Sequence, residues 1–218
     1  MIQLKNITVK FNDKLILNYI SFNIFKGDLI HIIGGNGSGK STLFKCLLGK
    51  IKYDGSININ RNDVGIVSDY ARVPDDILVK DILNFLISIN KDIDNHYINE
   101  LKSLCGIEEI KNKHVSKLSS GQKRKLEIFS AMIKKKKILI FDELTNALDD
   151  KSKNEVLLFI KNFRKQYKDV VIFYTTHNFT EILELKGRYM FIDRTSKKFI
   201  ERDINTIDNL KEEFLNVM

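Results

Sequence analysis

Apolar and polar residues alternate from Ile2 to Phe11 and again from Asn18 to Phe25, where the turn Lys26-Gly27-Asp28 ends the second run. Strand side chains point to opposite faces in turn, so this period of two predicts an antiparallel β start. Leu29-Ile30-His31-Ile32-Ile33 is apolar almost throughout, the pattern of a strand covered on both faces. It runs into a glycine-rich loop, after which Leu43, Phe44, Leu47 and Leu48 recur at helical spacing and predict a helix over Ser41 to Lys50.

From Val79 to Lys135 the pattern is mainly helical, with Ile82, Leu83, Phe85 and Leu86 in one segment and Leu126, Ile128, Phe129 and Met132 in another. This predicts a helical subdomain over about residues 70–135. Strand Ile138 to Phe141, helix Lys153 to Tyr167, strand Val170 to Thr175 and helix Phe179 to Leu185 follow. Such alternation predicts a parallel sheet wrapped by helices, and the fold class is α/β. The segment Arg194 to Met218 reads as a hairpin and a short amphipathic helix.

The 218 residues, 43% hydrophobic and 29% charged, suffice for one sizeable core and are short for two, so a single domain over residues 1–218 is expected. With one proline and eleven glycines, the chain has no linker-like stretch. The apolar runs are strand-sized, well below the roughly 20 residues that cross a bilayer, and the start lacks the pattern of a secretory signal. A cytoplasmic location is expected. Cys46 and Cys105 have no cysteine or histidine companion, so they read as buried or idle thiols. The net charge of +8 suits nucleic acid, anionic lipid or phosphate ligands alike.

Chemistry narrows that choice. Gly34-Gly35-Asn36-Gly37-Ser38-Gly39-Lys40-Ser41 fits GxxxxGK[ST], in which glycines let consecutive amides turn inward around phosphate at a helix N-terminus. Lys40 would reach the terminal phosphates and Ser41 a Mg²⁺ ion, with Thr42 next on the first helical turn. Ile138-Leu139-Ile140-Phe141-Asp142-Glu143 is an apolar strand ending in two acids. Asp142 can hold Mg²⁺ there, and Glu143 can orient a water as general base.

Leu118-Ser119-Ser120-Gly121-Gln122 resembles the LSGGQ signature of the ATP-binding cassette (ABC) family, with Ser120 in place of a glycine. The order of P-loop, signature, Asp142-Glu143, Ala147-Leu148-Asp149 and Thr176-His177 strengthens the resemblance. It implies a P-loop NTPase of ABC ATPase type: a mixed sheet core, an antiparallel β subdomain and a helical subdomain. It further implies that the loop ending at Asp149 links two nucleotide sites and that His177 contacts the γ-phosphate. Each ATP would lie between the P-loop of one subunit and Ser119, Gly121 and Gln122 of another, so a second nucleotide-binding subunit is an expected partner.

Phe11 matches the family's adenine-stacking aromatic. Asp69 stands where the family places a glutamine that contacts Mg²⁺, and adds a negative charge near triphosphate. The surface from about Asp69 to Asn90 would grip an integral membrane transporter subunit, with this chain peripheral on the inner face of the membrane and, by its compact size, closer to export ATPases. Nucleic acid is not an expected partner: Lys134 to Lys137 lacks interleaved aromatics and suits a solvated helix end. Two alternatives are a soluble ABC ATPase acting on nucleic acid or ribosomes, and a regulator that has lost hydrolysis, suggested by Asp69 and by Leu144 where proline is usual.

Overall fold

The alternating start folds as a hairpin that is tighter than its pattern suggested. In the computed structural model, which describes residues 2–68, 74–90, 94–193, 195–202 and 207–218, β1 (Ile2–Phe11) pairs antiparallel with β2 (Lys14–Ile24). The turn is Asn12-Asp13, both at positive φ (45° and 64°), the geometry whose twist matches paired strands. Recognising that turn would have started β2 at Lys14 rather than Asn18. A further strand, β4 (Asp54–Ile57), joins the free edge of β1, giving the order β2-β1-β4.

The second sheet carries the site. It has the order β5-β6-β7-β3-β8-β9, built from β3 (Leu29–Ile33), β5 (Val64–Ser68), β6 (Ile138–Asp142), β7 (Val171–Thr175), β8 (Arg188–Ile192) and β9 (Phe199–Arg202). The pairs are parallel except β8 with β9. β8 is thus a core strand, and the C-terminal hairpin begins at Arg188, earlier than predicted. β3 lies between β7 and β8, and the chain leaves its C-terminal end at the kind of switch point where α/β sheets bind ligands.

Both faces of this sheet are covered, and the strand period decides which residue faces which layer. Leu139, Phe141, Ile172 and Tyr174 pack with α2 (Val79–Ser88), α3 (Asn95–Leu104), α4 (Ser120–Met132) and α5 (Asp150–Gln166). Ile138, Ile140, Val171 and Phe173 pack with α1 (Lys40–Leu47) and the antiparallel sheet. Each such buried side chain contributes about 1.5–3 kcal/mol by leaving water. Cys46 and Cys105 are buried in different clusters, and burial raises the Cys46 thiol to about 11.

One polar run does more than its pattern implied. α4 stops at Met132, and the lysines that follow tie it to neighbours rather than simply meeting solvent. Lys135 lies over the rings of Tyr97 and Tyr167, Lys136 Nζ donates to the Asn62 carbonyl, and Lys137 pairs with Asp63 at 2.8 Å. At the other end, α6 (Phe179–Glu184) and α7 (Ile207–Val217) pack together through Phe179 and Phe214, while Leu210 and Phe214 cover Ile33, Ile182 and Phe191. The Val217 carbonyl accepts a hydrogen bond of 2.9 Å from the Gly35 amide, anchoring the root of the P-loop.

Candidate active site

The P-loop opens where β3 ends. Gly39, at φ 117°, turns the chain into α1 in a conformation that L side chains rarely adopt, and a Cβ there would meet Leu17 Cδ2 at 2.8 Å. Gly37, at φ 73°, faces open space. No side chain caps α1; its first intrahelical bond runs from the Leu43 amide to the Gly39 carbonyl, so the amides ahead of Leu43 belong to the orphan set of a helix N-terminus. Ser38 is 2% exposed and its Oγ has no hydrogen-bond partner among the described residues. An uncapped helix start and an orphaned buried hydroxyl fit a polyanion. Lys40 Nζ donates to the Gly34 carbonyl at 2.5 Å, folded back over its own loop.

Around this loop lies a cavity of about 380 Å³, lined by Phe11, Gly35 through Thr42, and Glu143, together with Lys14, Ile16 and Lys197. Phe11 stands 47% exposed at its edge, available for stacking. Lys14 and Lys197 escaped the reading of the sequence because they sit on the β1–β2 hairpin and the β8–β9 turn, far from any motif. Their signal was positional: Lys14 follows Phe11 by one tight turn.

Asp142, Glu143 and His177 come together at the ends of β6 and β7. The Thr175 hydroxyl donates to Asp142 Oδ1 at 2.7 Å and accepts from the Glu143 amide at 2.9 Å. Glu143 is held at φ 53°, a left-handed conformation that is costly away from glycine and gathers at functional sites. Its Oε1 lies 2.7 Å from His177 Nε2, and Asn146 Nδ2 donates to Oε2 at 3.4 Å. Glu143 also borders a second cavity of about 180 Å³, shared with Thr145, Thr176, His177 and Glu181. The oxygen donors of Ser41 and Asp142 are of the hard class that Mg²⁺ prefers. β5 ends at Ser68, in register with Asp142; Asp69 lies outside the described residues.

Ser119, Gly121, Gln122 and Asp149 line neither cavity. They cluster around the start of α4, with Ser119 and Asp149 exposed, Gln122 half-buried and Gly121 buried. The Ser119 hydroxyl accepts from the Gln122 amide, and the Gln122 side chain accepts from the Ser119 amide, both at 3.2 Å. α4 therefore begins at Ser120, two residues before the predicted Gln122, because this capping box fixes its first turn. A Cβ on Gly121 would come within 2.5 Å of Ser152 Oγ, so glycine is needed for α4 to approach α5. Ser152 in turn donates through its amide and hydroxyl to Asp149, the N-cap of α5, and these bonds hold the Asp149 carboxyl below its ordinary range.

Comparison with known proteins decides the family. The ABC transporter family model matches residues 17–146. The chain belongs to the ABC transporter family. It is an ATP-binding subunit of the ABC type, an ATPase whose hydrolysis is coupled to transport. A probable peptide export ATP-binding protein, YydI of Bacillus subtilis (strain 168), is 30% identical to this ABC ATPase over 97% of the chain and 98% of its own length. The energy-coupling factor transporter ATP-binding protein EcfA1 of Fusobacterium nucleatum is 34% identical over 84% of the chain and 76% of its own length. Among solved structures, cbiO1 from Clostridium perfringens, part of the ABC transporter complex cbiONQ, superposes with a TM-score of 0.82 at 23% identity, covering 98% of this chain and 92% of that one. Relatives named for import and for export are both present. Among the described residues, no helix is long and apolar enough to cross a membrane.

Proposed function

We propose that this ABC ATPase, its 218 residues acting as one domain, closes with a second subunit around ATP, that hydrolysis reopens the pair, and that this cycle drives export through a separate membrane-spanning partner. The observation that carries this reading is the position of Glu143, which borders the P-loop cavity on one side and meets His177 on the other. There it would orient a water for in-line attack on the γ-phosphate, with His177 on the phosphate. Amides at the start of α1 and Lys40 would bind the phosphates, and Phe11 would stack on adenine. Ser41 and Asp142 would hold Mg²⁺, whose part is to neutralise phosphate charge; Asp69 is the further candidate ligand.

The surface around Ser119, Gly121 and Gln122, remote from this chain's own P-loop cavity, supports a second subunit as the partner that covers the nucleotide. Export is supported by the match to YydI over nearly its full length. The membrane partner would contact the segment from about Asp69 to Asn90, where Phe85 and Ile89 are 62% and 58% exposed.

Glu143→Gln is the test. The variant is expected to bind ATP, to accumulate as an ATP-bound dimer in size-exclusion chromatography, and to lose turnover by about a thousandfold. A wild type that hydrolyses no ATP with any divalent metal, alone or with a co-purified integral membrane protein, would defeat the reading.

A further inference from the structure

One buried acid beside the site is outside the machinery described so far. Glu181, on α6, is 2% exposed. Its carboxyl oxygens receive hydroxyls from three places: Thr145 at 2.8 Å to each oxygen, Tyr174 at 2.8 Å and Thr176 at 2.6 Å. An acid this deep is costly to bury, and an apolar residue of similar size would serve packing at least as well. The identity of its neighbours gives it a different use. Thr145 stands two residues after Glu143, and Thr176 one residue before His177.

We propose that Glu181 is a positioning residue that locks the turn carrying Glu143 to the turn carrying His177. The inference rests on the reading that Glu143 and His177 act in hydrolysis. Both turns leave the sheet at strand ends, and both working side chains are partly open to solvent, 25% for Glu143 and 38% for His177. Side chains so placed keep a 2.7 Å contact only if the backbones beneath them are fixed to each other. The carboxyl of Glu181 does this from below, out of solvent, with Thr145 on one side and Thr176 on the other. Thr176 Oγ1 also accepts from the Asn178 amide at 3.0 Å, so the anchor extends across His177. Glu181 itself does not line the P-loop cavity.

Tyr174 supplies an internal control. It donates to the same carboxyl, yet it is a fully buried residue of β7 whose ring faces His31 and the core cluster beneath the helices. It flanks neither working side chain. If Glu181 serves only stability, losing the Tyr174 or the Thr176 hydroxyl should have equal consequences. If it positions the two turns, they should differ.

The experiment compares Thr145→Val, Thr176→Val, Tyr174→Phe and Glu181→Gln in steady-state ATPase kinetics, with thermal midpoints recorded alongside. Thr145→Val, Thr176→Val and Glu181→Gln are expected to lower kcat on the order of tenfold with KM for ATP nearly unchanged, the signature of misplaced reacting groups. Tyr174→Phe should lower the midpoint as Thr176→Val does and keep kcat within about twofold. In a His177→Ala background, Glu181→Gln should cost little more, because residues acting through one another are not additive. Equal losses of kcat for Tyr174→Phe and Thr176→Val, or full multiplication of the Glu181 and His177 effects, would overturn the proposal. The ring-proton NMR shifts of His177 in nucleotide-free protein give a readout independent of catalysis. Thr176→Val should move them and Tyr174→Phe should not; equal movement by both overturns the proposal even if the wild type proves inactive, a result that on its own would remove only the hydrolysis reading.

Discussion

Two helix starts in this molecule, both proposed to meet ATP phosphate, are built in opposite ways. Among the described residues, α1 begins without a side-chain cap, behind glycines at positive φ and a buried serine hydroxyl with no partner. α4 begins with its first donors already engaged by Ser119 and Gln122 of its own turn. An uncapped start is paid for in local stability and suits a receptor that works within one chain. A self-capped start is stiff in the free subunit, which suits a surface that waits for a nucleotide held by another molecule. As the two halves of the proposed shared site, they differ in what they need when empty.

That contrast can be broken at several points. Lys40→Ala should have the largest effect, lowering ATP affinity of the isolated subunit by about a hundredfold, since charge-assisted bonds to phosphate are among the strongest; nucleotide titration by calorimetry measures it. Acid should act next, and on the P-loop side. Burial lowers His31, in the strand feeding the P-loop, from 6.5 to about 4, against the raising effect of its bond to the Leu185 carbonyl. The unfolded chain then binds an extra proton below pH 6.5, so this part of stability is complete above pH 6.5 and declines as pH falls toward 4, by about 2–3 kcal/mol. Urea unfolding at pH 7 and 4.5 should show the loss, and His31→Phe should shrink it.

On the other helix, Gly121→Ala drives a methyl group against Ser152 and should destabilise by about 1–3 kcal/mol while ATP affinity of the single subunit holds and turnover of the pair falls. The smallest effect expected is that of Ser119→Ala, about 1 kcal/mol from the lost cap, again without change in single-subunit affinity. A loss of affinity in either variant without a partner present would erase the distinction between the two starts.

The parts most legible from residue order were those where a local rule and a chemical rule coincide. The run Leu29 to Ile33 had to be a doubly covered strand, and the glycines after it had to form a turn into a helix. Asp142, Glu143 and His177 were placed by apolar strands that end in polar residues. What stayed hidden depends on contacts between distant segments. Lys14 and Lys197 reach the cavity from opposite ends of the chain. β4 is a short strand that pairs with distant β1, and β8 joins the core through distant β3, while the lysines after α4 needed the positions of Tyr97, Tyr167 and Asp63 to show their use. The signature resemblance offered Gly121 only a ligand-side role, whereas its need to clear Ser152 is visible only once α4 and α5 are packed.

The hydroxyl of Thr175 is donor to Asp142 and acceptor for the Glu143 amide. One oxygen atom thus fastens the acid proposed to hold the cation and the acid proposed to orient the water, so neither can be re-aimed alone. An engineer seeking a different ion preference would disturb the pace of hydrolysis in the same stroke, and any drift in one function must carry the other with it.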